Sequence, residues 1–126
     1  MIERRSIDLP GATHEAPVPM ACRVGNVLFS SRISGRDIPS GNIPADPAEQ
    51  ARLMFQNLED VLKLAGGSLQ NVGHVTVLIV NDEVRGAFND AWERAFPDPD
   101  SRPARHVEQS DLRHGLLFQV EVTAVF

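Results

Sequence analysis

The chain has one cysteine, one lysine and no tyrosine, and each scarcity removes a class of chemistry. With Cys22 alone, no intrachain disulfide can form, and a cysteine-based zinc site is excluded. Cys22 stands in a predicted strand without a neighbouring activator, which predicts a buried small hydrophobe rather than a nucleophile. A Schiff base or a covalently held pyridoxal group would need Lys63 itself. Lys63 follows Glu59 by four residues in a predicted helix, the spacing of an exposed ion pair. The lack of tyrosine leaves no phenol to act as acid, base or stacking handle. No apolar run approaches the roughly 20 residues that span a bilayer. The first residues carry charge with no apolar segment behind them, so no signal peptide is expected, and with the lone cysteine this favours the cytoplasm. His14, His74, His106 and His114 show neither HxxxH nor HExxH spacing, so no metal is expected. GxSxG elbows and glycine-rich phosphate loops are missing as well. The net charge is −5 and the arginines are scattered along the chain, which argues against nucleic acid as the partner.

What is present is an ordinary globular pattern. At 126 residues, with 42% hydrophobic and 23% charged residues, the chain suits one domain over residues 1–126. A short strand is expected at residues 3–7, then a proline-rich irregular stretch. Residues 21–24 and 27–33 flank Gly25-Asn26, a pair suited to a tight hairpin turn. After a turn-rich loop, Asp46-Pro47-Ala48-Glu49 reads as a helix start, with Asp46 as cap, Pro47 in the first turn and Glu49 completing a capping box. Ala51, Met54, Phe55, Leu58, Val61, Leu62 and Ala65 then form an amphipathic stripe ending at Gly66-Gly67. A buried strand over residues 72–80 precedes a second helix, which begins at Asn81 or Asp82 and stops at Pro97. Strands at residues 104–108 and 116–126 close the chain. The order is β-β-β-α-β-α-β-β, an α+β layout with two helices on one face of a mixed sheet.

The last strand is the most informative. Alternation puts Phe118, Val120, Val122, Ala124 and Phe126 on one face and Gln119, Glu121 and Thr123 on the other. Glu121, mid-strand between polar neighbours, faces solvent, a partner subunit or a cleft. Arg105 follows a proline-rich loop at the start of a strand. It is either a structural salt-bridge partner or a fork for a carboxylate, which a guanidinium grips through two charge-assisted hydrogen bonds.

The pieces Ala16-Pro17, Val27-Leu28-Phe29-Ser30-Ser31, Gly35-Arg36-Asp37, Gln50 with Asn57-Leu58, Ala65-Gly66-Gly67, Phe88-Asn89, Pro103-Ala104-Arg105 and Val120-Glu121-Val122-Thr123-Ala124-Val125 together resemble the YjgF/YER057c/RidA family. The resemblance covers nearly the whole chain. It implies a chorismate-mutase-like fold and a homotrimer with clefts between subunits. It further implies cofactor-independent hydrolysis of enamine and imine carboxylates to 2-keto acids and ammonia. Arg105 matches the arginine that binds the substrate carboxylate, and Glu121 the glutamate that positions or activates water. Two other readings stay open: a deaminase for one unsaturated amino acid such as 2-aminomuconate, and a non-catalytic trimer that binds small carboxylates. Three positions depart from the family. Val18-Pro19 stands where a tyrosine is frequent, Val107 where a cysteine is, and Arg32 beside Ser31 where a glycine is. The pocket wall is therefore expected to involve Ser31, Val107 and Arg32. An added cation there favours a substrate with a second anionic group, whereas strict alternation would turn Arg32 away from Ser31 into an outward or interface salt bridge.

Overall fold

The computed structural model describes residues 2–14 and 16–126. The strands are β1 (Arg4–Ile7), β2 (Ala21–Val24), β3 (Val27–Ser30), β4 (Ile33–Ser34), β5 (Val72–Ile79), β6 (Ala104–Gln109) and β7 (Phe118–Val125). They form one sheet in the order β1-β2-β3-β7-β5-β6, with β4 also on β7. Only β5 and β6 pair in parallel. The two helices, α1 (Pro47–Leu64) and α2 (Arg85–Ala95), pack together on one face, and the other face is bare. The α+β layout with two helices on a mixed sheet is thus the one expected, with the two-residue β4 added.

Local chemistry explains each element. The hairpin between β2 and β3 turns on Gly25, whose φ of 57° only glycine adopts without strain. Asp46 caps α1 by accepting a hydrogen bond from the Glu49 amide at 3.0 Å. The reciprocal half of the expected capping box is not made, because the Glu49 carboxylate turns along the helix to Arg52. The 59/63 ion pair is also unformed: Lys63 sits in the last turn, where its charge complements the helix dipole. Asn81 caps a 3-10 turn, Asp82–Val84, which leads into α2. Along β7 the burial alternates as anticipated, with Phe118, Val120, Val122 and Ala124 buried and Gln119, Glu121 and Thr123 partly open. Cys22 is a correction: it is only partly buried, because it points to the bare face beside Ser6 and Phe29.

The core lies between sheet and helices. Phe55, Phe88, Trp92, Phe96 and Phe118 form a chain of aromatic contacts with ring centroids 4.8 to 6.4 Å apart. Each such pair contributes about 0.5–1.5 kcal/mol beyond area burial. The α1 face is not wholly apolar, since Gln50 and Asn57 are buried at 0% and 5% exposure. Gln50 donates to the carbonyls of Pro44 (2.9 Å) and Gly115 (3.2 Å) and accepts from the Leu117 amide (2.6 Å). Asn57 donates to the carbonyls of Ser34 (2.9 Å) and Arg36 (2.8 Å). Apart from Ser34, the last residue of β4, these amides serve loop backbone, and they satisfy groups that would otherwise be buried without a hydrogen bond. Gly35 makes the approach possible, for a Cβ there would lie 2.0 Å from the Gln50 carbonyl oxygen.

Replacing Gln50 by the similar-sized Met leaves these three backbone groups unpaired, at about 1–3 kcal/mol for each one that water cannot reach. Gln50→Met is expected to lower stability by at least about 2 kcal/mol in urea unfolding, against less than about 0.5 kcal/mol for the exposed Gln56→Ala. Equal midpoints for the two variants would refute the role given to Gln50.

Candidate functional site

Strand register decides which side chains can meet. Val75 pairs with Arg105 on one side and with Val122 on the other, so Arg105 belongs to the row of buried, helix-facing residues. Thr76 pairs with His106 and Glu121, which places Glu121 on the bare face. The two residues expected to work together therefore lie on opposite faces of one sheet.

On the helix side, the Arg105 guanidinium lies 4.9 Å from the Trp92 ring centroid and 5.4 Å from that of Phe88. Such stacking holds the planar group while leaving its N–H edges free. Among the described residues Arg105 has no acidic partner. The nearby Arg85 is bonded to Asp82 at 3.0 Å. Burial, and secondly the Arg85 charge, hold Arg105 below the ordinary arginine range. A partly buried guanidinium with an arginine for its neighbour is a ready site for an anion. The salt-bridge alternative for Arg105 is not formed among the described residues of the chain. Val107, two residues on, shares its face and packs against the core. Asn89, on the same turn of α2 as Phe88, has a buried Oδ1 without a hydrogen-bond partner. Sequence reasoning gave Asn89 no role, because only packing reveals an unpaired acceptor.

On the bare side, the Glu121 carboxylate is half exposed and meets Arg32 Nε at 3.5 Å. Strict alternation does not govern Arg32, because β3 ends at Ser30 and the chain breaks its pleat before β4. The Ser30 hydroxyl fills the gap by accepting from the Val122 amide at 2.8 Å. Ser31 turns the other way, and its hydroxyl donates to the Pro19 carbonyl at 2.8 Å. Arg32 also lines a groove of about 1000 Å³ with Val18, Arg36, Arg113, His114 and Gln119. Of the three departures from the family pattern, Val18 and Arg32 share this groove, while Val107 lies on the other face. No group of three or more His, Cys, Asp or Glu with metal-binding geometry occurs among the described residues. Among the described residues no helix is long and apolar enough to cross a membrane.

Comparison with known proteins gives a consistent result. The family described as Endoribonuclease L-PSP matches residues 12–126. The mouse protein named 2-iminobutanoate/2-iminopropanoate deaminase is 32% identical over 111 residues, covering 86% of this chain and 81% of its own. The mitochondrial protein mmf2 of Schizosaccharomyces pombe is 32% identical over 90 residues, covering 71% of this chain and 68% of its own. Among solved structures, RidA from the Antarctic bacterium Psychrobacter superimposes with a TM-score of 0.88 over 97% of this chain and 99% of that one, at 23% identity. That last likeness bears on the fold alone.

Trp92 is the sole tryptophan and lies against Arg105, so it reports on that site. Titration with 2-oxobutanoate is expected to change its fluorescence saturably, and Arg105→Ala is expected to abolish the change. The same response in the variant would place the anion elsewhere.

Proposed function

The chain belongs to the family described as Endoribonuclease L-PSP, the YjgF/RidA group, and from that membership we propose that it hydrolyses enamine and imine carboxylates to 2-keto acids and ammonia. The observation that carries the reading is Arg105: stacked on two aromatic rings, partly buried and without an acidic partner among the described residues. Its two free N–H edges suit a substrate carboxylate, and the mouse relative's name supplies the reaction class.

The chemistry asks little of the protein. A protonated imine carbon is already electrophilic, so orienting it and providing a proton acceptor for water suffice. Water oxygen bonds to that carbon while Glu121 takes a water proton. The carbinolamine nitrogen then takes up the proton Glu121 had received, the C–N bond breaks as the hydroxyl proton passes back to the Glu121 carboxylate to leave the keto group, and the departing ammonia carries that last proton away as ammonium. Arg105 holds the carboxylate throughout. No organic cofactor or metal has a step in this scheme.

Because Arg105 and Glu121 lie on opposite faces of one sheet, the complete site is assigned to a cleft between subunits of a homotrimer. Arg105 of one subunit would work with Glu121 of the partner subunit. The bare face, with Phe29 and Val125 about half exposed, supports such packing. A cytoplasmic setting accords with the single cysteine, although the fission-yeast relative is named as mitochondrial. A carboxylate-binding trimer without turnover is the second reading, favoured by the Arg32 contact that occupies Glu121.

Three outcomes are expected. Arg105→Lys lowers kcat/KM for 2-iminobutanoate by about 10²-fold, because an ammonium cannot reproduce the two-pronged grip. Glu121→Gln depresses kcat more than it raises KM, since the amide is nearly isosteric but accepts no proton; an unchanged kcat would assign the water to another group. If each site draws on two subunits, unfolding and refolding an equal mixture of the inactive Arg105→Ala and Glu121→Gln proteins restores about one quarter of wild-type activity. No recovery, or a monomer by sedimentation equilibrium, would overturn the shared site.

A further inference from the structure

The large groove beside Glu121 has no part in the reaction described above, yet its charge is unlike that of the rest of the molecule. The chain carries a net charge of −5, while the groove is lined by Arg32, Arg36 and Arg113 together with His14 and His114, against one acidic residue, Asp111. Among the described residues Arg36 and Arg113 have no ion-pair partner. Guanidiniums stay charged at every physiological pH, and gathering three of them around a single carboxylate works against folding through mutual repulsion.

The groove is also built rather than incidental. Asn57 fixes the backbone at Arg36 by donating to its carbonyl at 2.8 Å. Gln50 fixes the other wall through Gly115 and Leu117, immediately after Arg113 and His114. Both amides project from the same helix and are almost fully buried, so loops from two distant parts of the chain are held against one rigid element. His114 adopts a φ of 63°, the sole positive φ at a non-glycine among the described residues. Strain of this kind persists where the surroundings over-determine a conformation, and it clusters at ligand sites.

We infer that this groove binds the second carboxylate of a dicarboxylic substrate, with Arg36 and Arg113 as its ligands. The inference rests on the deaminase reading and narrows its substrate class. Arg32 touches Glu121 and lines the groove, so a single side chain joins the groove to the carboxylate proposed to activate water. In the shared cleft proposed above, a substrate gripped at its α-carboxylate by Arg105 of the adjoining subunit would extend its remaining chain into the groove, where a neutral alkyl tail finds no match and an anionic one does. Val18 in the wall, where the family often carries a tyrosine, leaves that path free of a phenol. Reactions that supply such substrates are two-electron oxidations of acidic amino acids, or eliminations of a β-substituent from β-substituted ones, which yield 2-imino dicarboxylates.

The test uses imines generated in place by amino-acid oxidases, from glutamate or aspartate on one side and 2-aminobutyrate on the other, with ammonia release measured above the spontaneous rate. Wild type is expected to favour the dicarboxylic imines. Arg36→Gln and Arg113→Gln are each expected to reduce the dicarboxylic to monocarboxylic ratio of kcat/KM by about tenfold. A ratio unchanged in both variants, or a wild-type preference for 2-iminobutanoate, overturns the inference. Calorimetry with 2-oxoglutarate and 2-oxobutanoate separates this result from the deaminase reading, because it needs no turnover. Tighter binding of 2-oxoglutarate that both variants remove supports the groove even if neither imine is hydrolysed. Equal affinities refute it, as does displacement of 2-oxoglutarate by a short oligoribonucleotide at 0.15 M salt with higher affinity than any dicarboxylate, the mark of a polyanion site.

Discussion

The alternation of side chains along β7 is the constraint on which the molecule is arranged. This strand hydrogen-bonds to β3 and β4 along one edge and to β5 along the other, so its two faces set the two sides of the whole sheet. Phe118, Val120, Val122 and Ala124 are at most 3% exposed and close the core under the helices. Glu121, between two of them, cannot follow, because successive residues of a strand point to opposite faces. Arg105 enters through β6 in the row of Val75 and Val122, and so inherits the helix side. A shift of one residue in either register would exchange the faces and bury a carboxylate in an aromatic core.

The separation of these two groups gives the fold an economical form. The chain presents a guanidinium without an acidic partner among the described residues at one sheet edge and a carboxylate on the bare face, and neither group meets the other within the chain. Adjacent on one face, Arg105 and Glu121 would neutralise each other as a salt bridge. Their placement on opposite faces prevents that pairing within the chain. The stacking on Trp92 and Phe88 is what allows a charged group to wait there, since the ring faces offset part of the lost hydration while leaving its hydrogen-bonding edges unused.

Rigidity around the groove comes from polar rather than apolar burial. Gln50 and Asn57 stand in for a ladder along loop segments and at the end of β4, and between them they make five hydrogen bonds to backbone. Buried amides of this kind are costly unless every partner is present, and when satisfied they define a single arrangement. The consequence is a groove whose arginines sit on fixed backbone although their side chains remain partly open to water.

Much of this was legible in the chain itself. Periodicity and caps gave the two helices, Gly25 the hairpin, and the alternation from Phe118 to Val125 the closing strand with Glu121 off the core. The residues around Arg105 left it open between a structural salt bridge and a carboxylate fork, and the resemblance running from Ala16 to Val125 pointed to the family and implied the second. These features are local, carried by neighbours a few residues apart, and local sterics and hydrophobic periodicity determine them. Register, face and loop contact are long-range, and only the tertiary structure decided them. The pairing of Val75 with both Arg105 and Val122 set Arg105 opposite Glu121, and the end of β3 at Ser30 freed Arg32 to reach Glu121. Gln50 reaching 65 residues along the chain to Gly115 brought Arg113 to the groove that holds Arg36. No spacing in the sequence encodes those meetings, because each depends on the free energy of packing distant segments together.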